Sequence, residues 1–520
     1  MKDARRSRRG FAFLSALLLA CVAHAQEPAS LAARIEAHIA QPRFAGARWG
    51  IAVVSLDTGR LLYAHDGDRL YQTASTAKLF TAALALSELG PDYRIPTRLL
   101  AGDRRRGAVL DGPLILYGMG DPTLGADAAT ADWADRMARA VAERGIRTVK
   151  GGIVADDTYF ASPAMGSGWE AADLQSWFAV PASALSVQEN QVEVTVAPST
   201  HEGRPAIVSM DPAGALPEVD NQIVTGAPGL RNDINLYRAP GGGTLYAFGS
   251  IAARGPAQRF KLAAFDPALL AGKQLQSALA RHGVAVQGGV RALHWPSSGD
   301  GLREGAQVIA EVTSPPVGEI LQRGLKRSQN LYLQNLFLIA GVRAQAEAMQ
   351  GPSPPGGFLS TENWGVRGLR QLLERMGLPA GTTVIEEGTG LSRRDLSTPG
   401  AMARLLSFLA AQSYAPTLLD ALPIAGVDGT LQWRMRDTPA ANNLRAKTGS
   451  MSLVHCLAGY VTTAGGERLA FAIMLNNYDP PAGAPSASRD IDAIASMLAG
   501  LRVDAPAPEK SGAVAAQPAN

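Results

Sequence analysis

Cysteine is nearly absent. The 520 residues hold two, Cys21 and Cys456. If Cys21 leaves with an N-terminal leader, no internal disulfide can form, and an exported chain must rest on its packed core. Cys456 sits in the apolar run Leu453–Val461 and reads as a small buried side chain. Paired-cysteine spacing and His-Glu-x-x-His are both missing, so no metal or other cofactor is expected. Gly-x-Ser-x-Gly is missing too, and the histidines sit in no recognisable triad setting, which argues against a Ser-His-Asp esterase. Long apolar runs are scarce, and the one at Phe11–Val22 is too short to span a membrane. Net charge is also lacking. The formal surplus of +3 is carried by Lys2, Arg5, Arg6, Arg8 and Arg9, and the remainder is near neutral, which argues against a nucleic-acid partner. What is present, 46% hydrophobic and 18% charged residues, is a globular composition, too long for a single core.

The basic front end, the apolar run and Ala23-His24-Ala25 form an export signal at 1–25, with the mature chain starting at Gln26. Ordinary secretion to the periplasm is the reading taken. Ser7-Arg8-Arg9-Gly10-Phe11 also fits a twin-arginine signal. Leu18-Leu19-Ala20-Cys21 fits a lipoprotein box, which would anchor the protein peripherally to a membrane through Cys21. At the other end, the Ala- and Pro-rich stretch 504–520 reads as a disordered tail.

Between them, strand patterns at Trp49–Leu56 and Arg60–Ala64 flank the turn Asp57-Thr58-Gly59 and predict a hairpin. A second hairpin, Leu453–Val461 with Leu469–Asn476, lies near the far end. Helices are predicted at Leu31–Ile39, Ser75–Leu89, Thr361–Met376, Pro399–Gln412 and Ser486–Leu501. Two hairpins at opposite ends suggest one sheet built from both, in an outer domain of residues 26–95 and 305–503. Residues 96–304 are rich in short β-like runs and Gly/Pro turns, with one helical stretch at Pro267–His282. They read as one or two mostly β domains inserted into the outer one.

Lysine is scarce, at eight residues against 41 arginines. A chain that prefers arginine keeps lysine where the proton must be given up. Lys78 follows Ser75 by three residues at the head of a helix, which puts hydroxyl and amine on one face. Ser-x-x-Lys alone arises by chance about once per 500 residues and decides nothing. As a base, Lys78 would need its pKa lowered from about 10.4 to about 7–8, through burial and a second cation, for which Lys447 is the candidate. Lys447 opens Lys447-Thr448-Gly449-Ser450, just before the second hairpin, where it could hold a substrate carboxylate while Gly449 admits the ligand to the backbone. In Ser328-Gln329-Asn330, a turn would bring the hydroxyl and the amide of Ser328 and Asn330 to one site. His455 reads as a strand residue.

Together, Ser75-x-x-Lys78, Ser328-x-Asn330 and Lys447-Thr448-Gly449, in that order, resemble the penicillin-recognising serine acyl-transferases. The long insertion after the first motif narrows the resemblance to the low-molecular-mass class C penicillin-binding proteins, D-alanyl-D-alanine carboxypeptidase/endopeptidases. Tyr117–Leu124, Asp156–Phe160, Ser314-Pro315-Pro316 and Leu422–Leu431 are similar to that family as well, and the match runs from Ala33 to Leu501. Two departures are Gln329, where aspartate is usual, and Glu387-Gly388-Thr389-Gly390 for the more usual Asp-Gly-Ser-Gly.

The resemblance implies an α/β (α+β) fold of the penicillin-binding-protein/serine β-lactamase type, an antiparallel sheet flanked by helices. It implies a Ser75 nucleophile, Lys78 as base, and Ser328 with Lys447 relaying protons. Asn330, Lys447, Thr448 and Gly449 would bind substrate, and the Ser75 and Ser450 amides would form the oxyanion hole. Asp156 would meet the amino end of a stem peptide, unless it is only a surface turn. Peptidoglycan peptides and β-lactams are the implied partners. A β-lactamase is the nearest rival, but neither Glu-x-x-Leu-Asn nor a Tyr-x-Asn second motif occurs. A catalytically idle cell-wall-binding module is the rival of another class, against which the three intact motifs argue.

Overall fold

Strands Arg48–Ser55 and Leu61–His65 form the first hairpin, and Val454–Thr462 and Arg468–Asn476 the second. Arg48–Ser55 pairs antiparallel with Arg468–Asn476, Ile51 opposite Ile473, which joins the hairpins into one sheet. Arg445–Met451, which carries the Lys-Thr-Gly motif, forms one edge of these five strands. The structure, a computed structural model, describes residues 30–102, 104–351 and 355–502. The expected leader, Cys21 and the C-terminal tail lie outside the described residues.

Side chains alternate across the sheet. Phe471, Ile473 and Leu475 pack under helices Leu31–Ile39 and Ala487–Ala499. Ala470, Ala472 and Met474 turn to the other face, where small residues let helix Pro399–Ala410 approach closely. Behind it lie Lys78–Glu88, Asn330–Gln350 and Thr361–Arg375, the last capped by Ser360. Every residue from Asn330 to Gly341 is buried, as is every residue from Lys78 to Leu86. Each fully buried leucine stabilises by about 1.5–3 kcal/mol, so these two helix starts are held in place by the deepest part of the core.

The chain leaves this body through Arg94–Ala101 and returns through Gln307–Pro316, and the two strands pair antiparallel, Ala101 opposite Gln307. They belong to a five-stranded mixed sheet in which Leu114–Gly118, Ile153–Asp156 and Val290–Leu293 run parallel to one another. Two three-stranded sheets lie beyond, one of them Gln191–Ala197 with Ile207–Asp211 and Gln258–Ala263. The region from Arg94 to Pro316 carries a helix that the β-like pattern hid. Trp133–Glu143 buries Trp133, Ala134, Met137, Ala138 and Val141 beside Pro267–Arg281. Two of these five are alanines, which weakens the apolar stripe of this helix against its charges.

Candidate active site

Residues Ala74–Ala77 form a 3₁₀ turn, and the α-helix proper starts at Lys78 rather than at Ser75. In a 3₁₀ turn, side chains at i and i+3 eclipse. Lys78 Nζ accordingly lies 2.8 Å from Ser75 Oγ. Ala74, just before the serine, holds φ at 42°, a conformation that costs a non-glycine residue of order 1–3 kcal/mol. The turn is clamped from both sides. A Cβ at Gly390 would lie 2.0 Å from the Ala74 carbonyl oxygen, and one at Gly449 would lie 2.7 Å from that of Thr73. On the side where a Cβ would stand, Gly449 admits the nucleophile turn of the chain itself.

Lys78 is fully buried. Its Nζ meets three oxygens: Ser75 Oγ, Asn330 Oδ1 at 2.6 Å and the Thr389 carbonyl at 2.7 Å. A neutral amine has two N–H groups and one lone pair. Asn330 and Thr389 can accept only, if the Asn330 amide is oriented so that its nitrogen donates to the Phe178 carbonyl, 2.6 Å away. The lone pair is then left to face the Ser75 hydroxyl. Burial pushes the Lys78 pKa down to about 7, against the opposing pull of the Glu387 and Asp395 carboxylates. Of the two expected causes, burial depresses Lys78, while the like charge acts on the other lysine, with Lys78 holding Lys447 down after burial.

Glu387 anchors the loop that supplies the Thr389 carbonyl. Its carboxylate accepts from the backbone N–H groups of Thr389, Gly390, Leu391 and Ser392 at 2.6–3.3 Å. Asp395 beside it is pushed well above the carboxylate range by burial and by Glu387.

Ser328 ends helix Val317–Arg327 in the left-handed region (φ 55°), and Asn330 opens the next helix. This turn faces Ser328 and Asn330 to one cleft. Lys447 Nζ donates to Ser328 Oγ at 2.9 Å and to the Thr448 carbonyl at 2.7 Å, fully buried. Its amine thus points at Ser328, which lines the cleft. The Thr448 hydroxyl bonds that of Thr430 at 2.8 Å, and Ser450 reaches the cleft.

The cleft holds about 390 Å³. Ser75, Ser328, Asn330 and Ser450 line it, and a wall from the inserted region closes it with Glu170, Asp173, Trp177 and Phe178. Burial and then Glu170 raise the Asp173 pKa, against the pull of Arg393 opposite. These acids were not anticipated. The signal was Trp169, Trp177 and Phe178 crowded around Glu170 and Asp173 in a chain with only 6% aromatics. Asp156 is neither in this cleft nor on a surface turn. It is buried at the end of its strand, ion-paired with Arg303 and bonded to Thr158. A larger groove, about 540 Å³, lies between the first hairpin and helix Pro399–Ala410, remote from Ser75.

A serine whose hydroxyl meets a buried lysine, in a turn that opens a helix beside an antiparallel sheet, sits in a fold of the penicillin-binding type. The chain belongs to the D-Ala-D-Ala carboxypeptidase 3 (S13) family, whose model matches residues 31–499. It is 37% identical over 473 residues to a D-alanyl-D-alanine carboxypeptidase of Actinomadura sp. (strain R39), covering 88% of this chain and 83% of that one. It is 27% identical over 445 residues to D-alanyl-D-alanine carboxypeptidase DacB of Haemophilus influenzae, covering 83% and 86%. Among solved structures, penicillin binding protein 4 of Haemophilus influenzae superposes with a TM-score of 0.74 at 23% identity, covering 91% of this chain and 100% of that one.

Proposed function

We propose that this protein is a serine D,D-peptidase that acts on peptidoglycan stem peptides through a Ser75 acyl-enzyme and is acylated by β-lactams. The observation that carries the reading is Lys78 Nζ, buried, with two acceptors for its N–H groups and its third contact on Ser75 Oγ. Ser75 Oγ attacks the carbonyl of the penultimate D-alanine, and its proton passes to the Lys78 amine. The backbone N–H groups of Ser75 and Ser450 receive the developing oxyanion, each such donor being worth about 2.7–4 kcal/mol. Collapse of the tetrahedral intermediate breaks the C–N bond. The leaving amine takes a proton through Ser328, which Lys447 contacts, and water then hydrolyses the ester. Asn330 holds both the Lys78 amine and the substrate backbone. Glu170 and Asp173, in place of Asp156, suit a cationic amino end on the stem peptide. Removal of terminal D-alanine and cleavage of D-Ala–mDAP cross-links both fit this chemistry. The N-terminal residues support export to the periplasm, which cell fractionation tests.

Labelled penicillin followed by mass mapping tests the reading. Ser75 carries the adduct, and Ser75→Ala carries none. Equal labelling of the two would overturn it, and rapid turnover of penicillin would favour a β-lactamase. Released D-alanine or cleaved dimers from purified muropeptides then separate the carboxypeptidase from the endopeptidase activity.

A further inference from the structure

The turn Gln188-Glu189-Asn190 lies in the inserted region and has three consecutive non-glycine residues at positive φ, 50°, 56° and 55°. L-residues rarely adopt this conformation even singly, so the surroundings must hold it. They do so on both flanks. Asn190 bonds the Val187 N–H, the Pro181 carbonyl and Ser186, and Gln188 bonds Gln274. What the turn presents is the Glu189 carboxylate. Oε2 accepts from Arg327 Nη2 at 2.8 Å and from Gln329 Nε2 at 3.1 Å, and Oε1 accepts from the Tyr332 hydroxyl at 2.9 Å. Arg327, Gln329 and Tyr332 interleave with Ser328 and Asn330, and Arg327, Ser328 and Asn330 all line the cleft.

We propose that Glu189 is a positioning residue for the reaction, and that the strained turn holds its carboxylate where it fixes Ser328 toward Lys447 and Asn330 toward Lys78. It touches none of the reacting atoms. It grips the residue before Ser328, the one after it, and the first turn of the helix that Asn330 opens. The departure at position 329 fits this role. A glutamine donates to Glu189, whereas an aspartate there would bring a second carboxylate to an already buried one. The charged and titratable groups turned toward Glu189 are Arg327 on helix Val317–Arg327 and Tyr332 on the following helix, while Arg323 pairs with Asp127 and Glu319.

The proposal rests on Ser75 acylation, so labelling of the wild-type full chain by labelled penicillin is measured first. An unlabelled wild type fails the functional reading itself. With labelling established, the acylation rate per titratable Ser75 is measured from pH 5 to 9, alongside the melting temperature. E189A that folds is expected to acylate roughly 10²-fold more slowly, since a displacement of about 1 Å in a reacting group has that effect. E189Q is expected to stay near the wild-type rate. With its carbonyl at the Oε2 position it still accepts from Arg327 and Gln329, and its amide, at the Oε1 position, can donate to the Tyr332 hydroxyl oxygen. Q329D is expected to lose acylation as pH rises and both carboxyls ionise, and adding E189Q is expected to abolish that dependence. Folded E189A at the wild-type rate would overturn the proposal. So would identical pH profiles for Q329D and the Q329D/E189Q pair, and that comparison decides the matter if E189A does not fold.

Discussion

At the scale of single residues, the site turns on one amine whose proton is loosely held. Lys78 releases its proton at about 7, so the rate of Ser75 acylation should rise with pH through an inflection near that value, which stopped-flow labelling measures. The Glu387 charge holds the Lys78 pKa up, so Glu387→Gln should move the inflection to lower pH. Stability carries the same signature. The ordinary lysine value is 10.5, so between about 7 and 10.5 the unfolded chain binds more protons at this position than the folded one. The Lys78 contribution therefore makes stability rise with pH across that window. Glu170→Gln with Asp173→Asn should raise KM for stem peptides that carry a free amino end, and leave penicillin acylation unchanged. Ser75, Lys78, Ser328, Asn330 and Lys447 were legible in the sequence because their chemistry demands particular side chains at short spacings. Asp156 and the acids of the cleft wall were not, because nothing local tells an acid paired with Arg303 from one that faces a cleft.

At the scale of elements, the arrangement depends on how closely the edge strand Arg445–Met451 lies against the nucleophile turn. Gly449→Ala would place a methyl carbon 2.7 Å from the Thr73 carbonyl oxygen, nearer than real contacts allow. The strand or the turn must move. Acylation should fall roughly 10²-fold, with a stability loss of about 1–3 kcal/mol as for other overpacked sites. Labelled-penicillin rates and denaturant unfolding measure the two. Both hairpins and six helices read well from the sequence, because their periodicity and caps are local. The Trp133–Glu143 helix did not, two of its five buried residues being alanine. The switch from 3₁₀ to α at Lys78 was also illegible, since it is imposed by Gly390 and Gly449, far away in sequence.

At the scale of the whole molecule, the inserted region is part of the cleft. The Phe178 carbonyl holds the Asn330 amide, and Trp177 and Phe178 form a wall beside Ser75. Ala101 and Gln307 face each other in register, so a short turn could close the chain if residues 102–306 were removed. Such a protein should not be labelled by penicillin at Ser75 even where it stays soluble. The shared sheet was legible from two hairpins alone, but the parallel pairing of Leu114–Gly118 with Ile153–Asp156 was not, because parallel partners leave no turn between them. The sheet also sets a schedule. Arg48–Ser55 is made early and has no partner on one side until Arg468–Asn476 emerges. At about 5–20 residues per second, the interval is on the order of tens of seconds. Throughout it the half-made chain holds a serine and a lysine but not the strand that clamps them. A nascent chain is therefore inert toward peptides and antibiotics alike, and reactivity switches on only with the last strands.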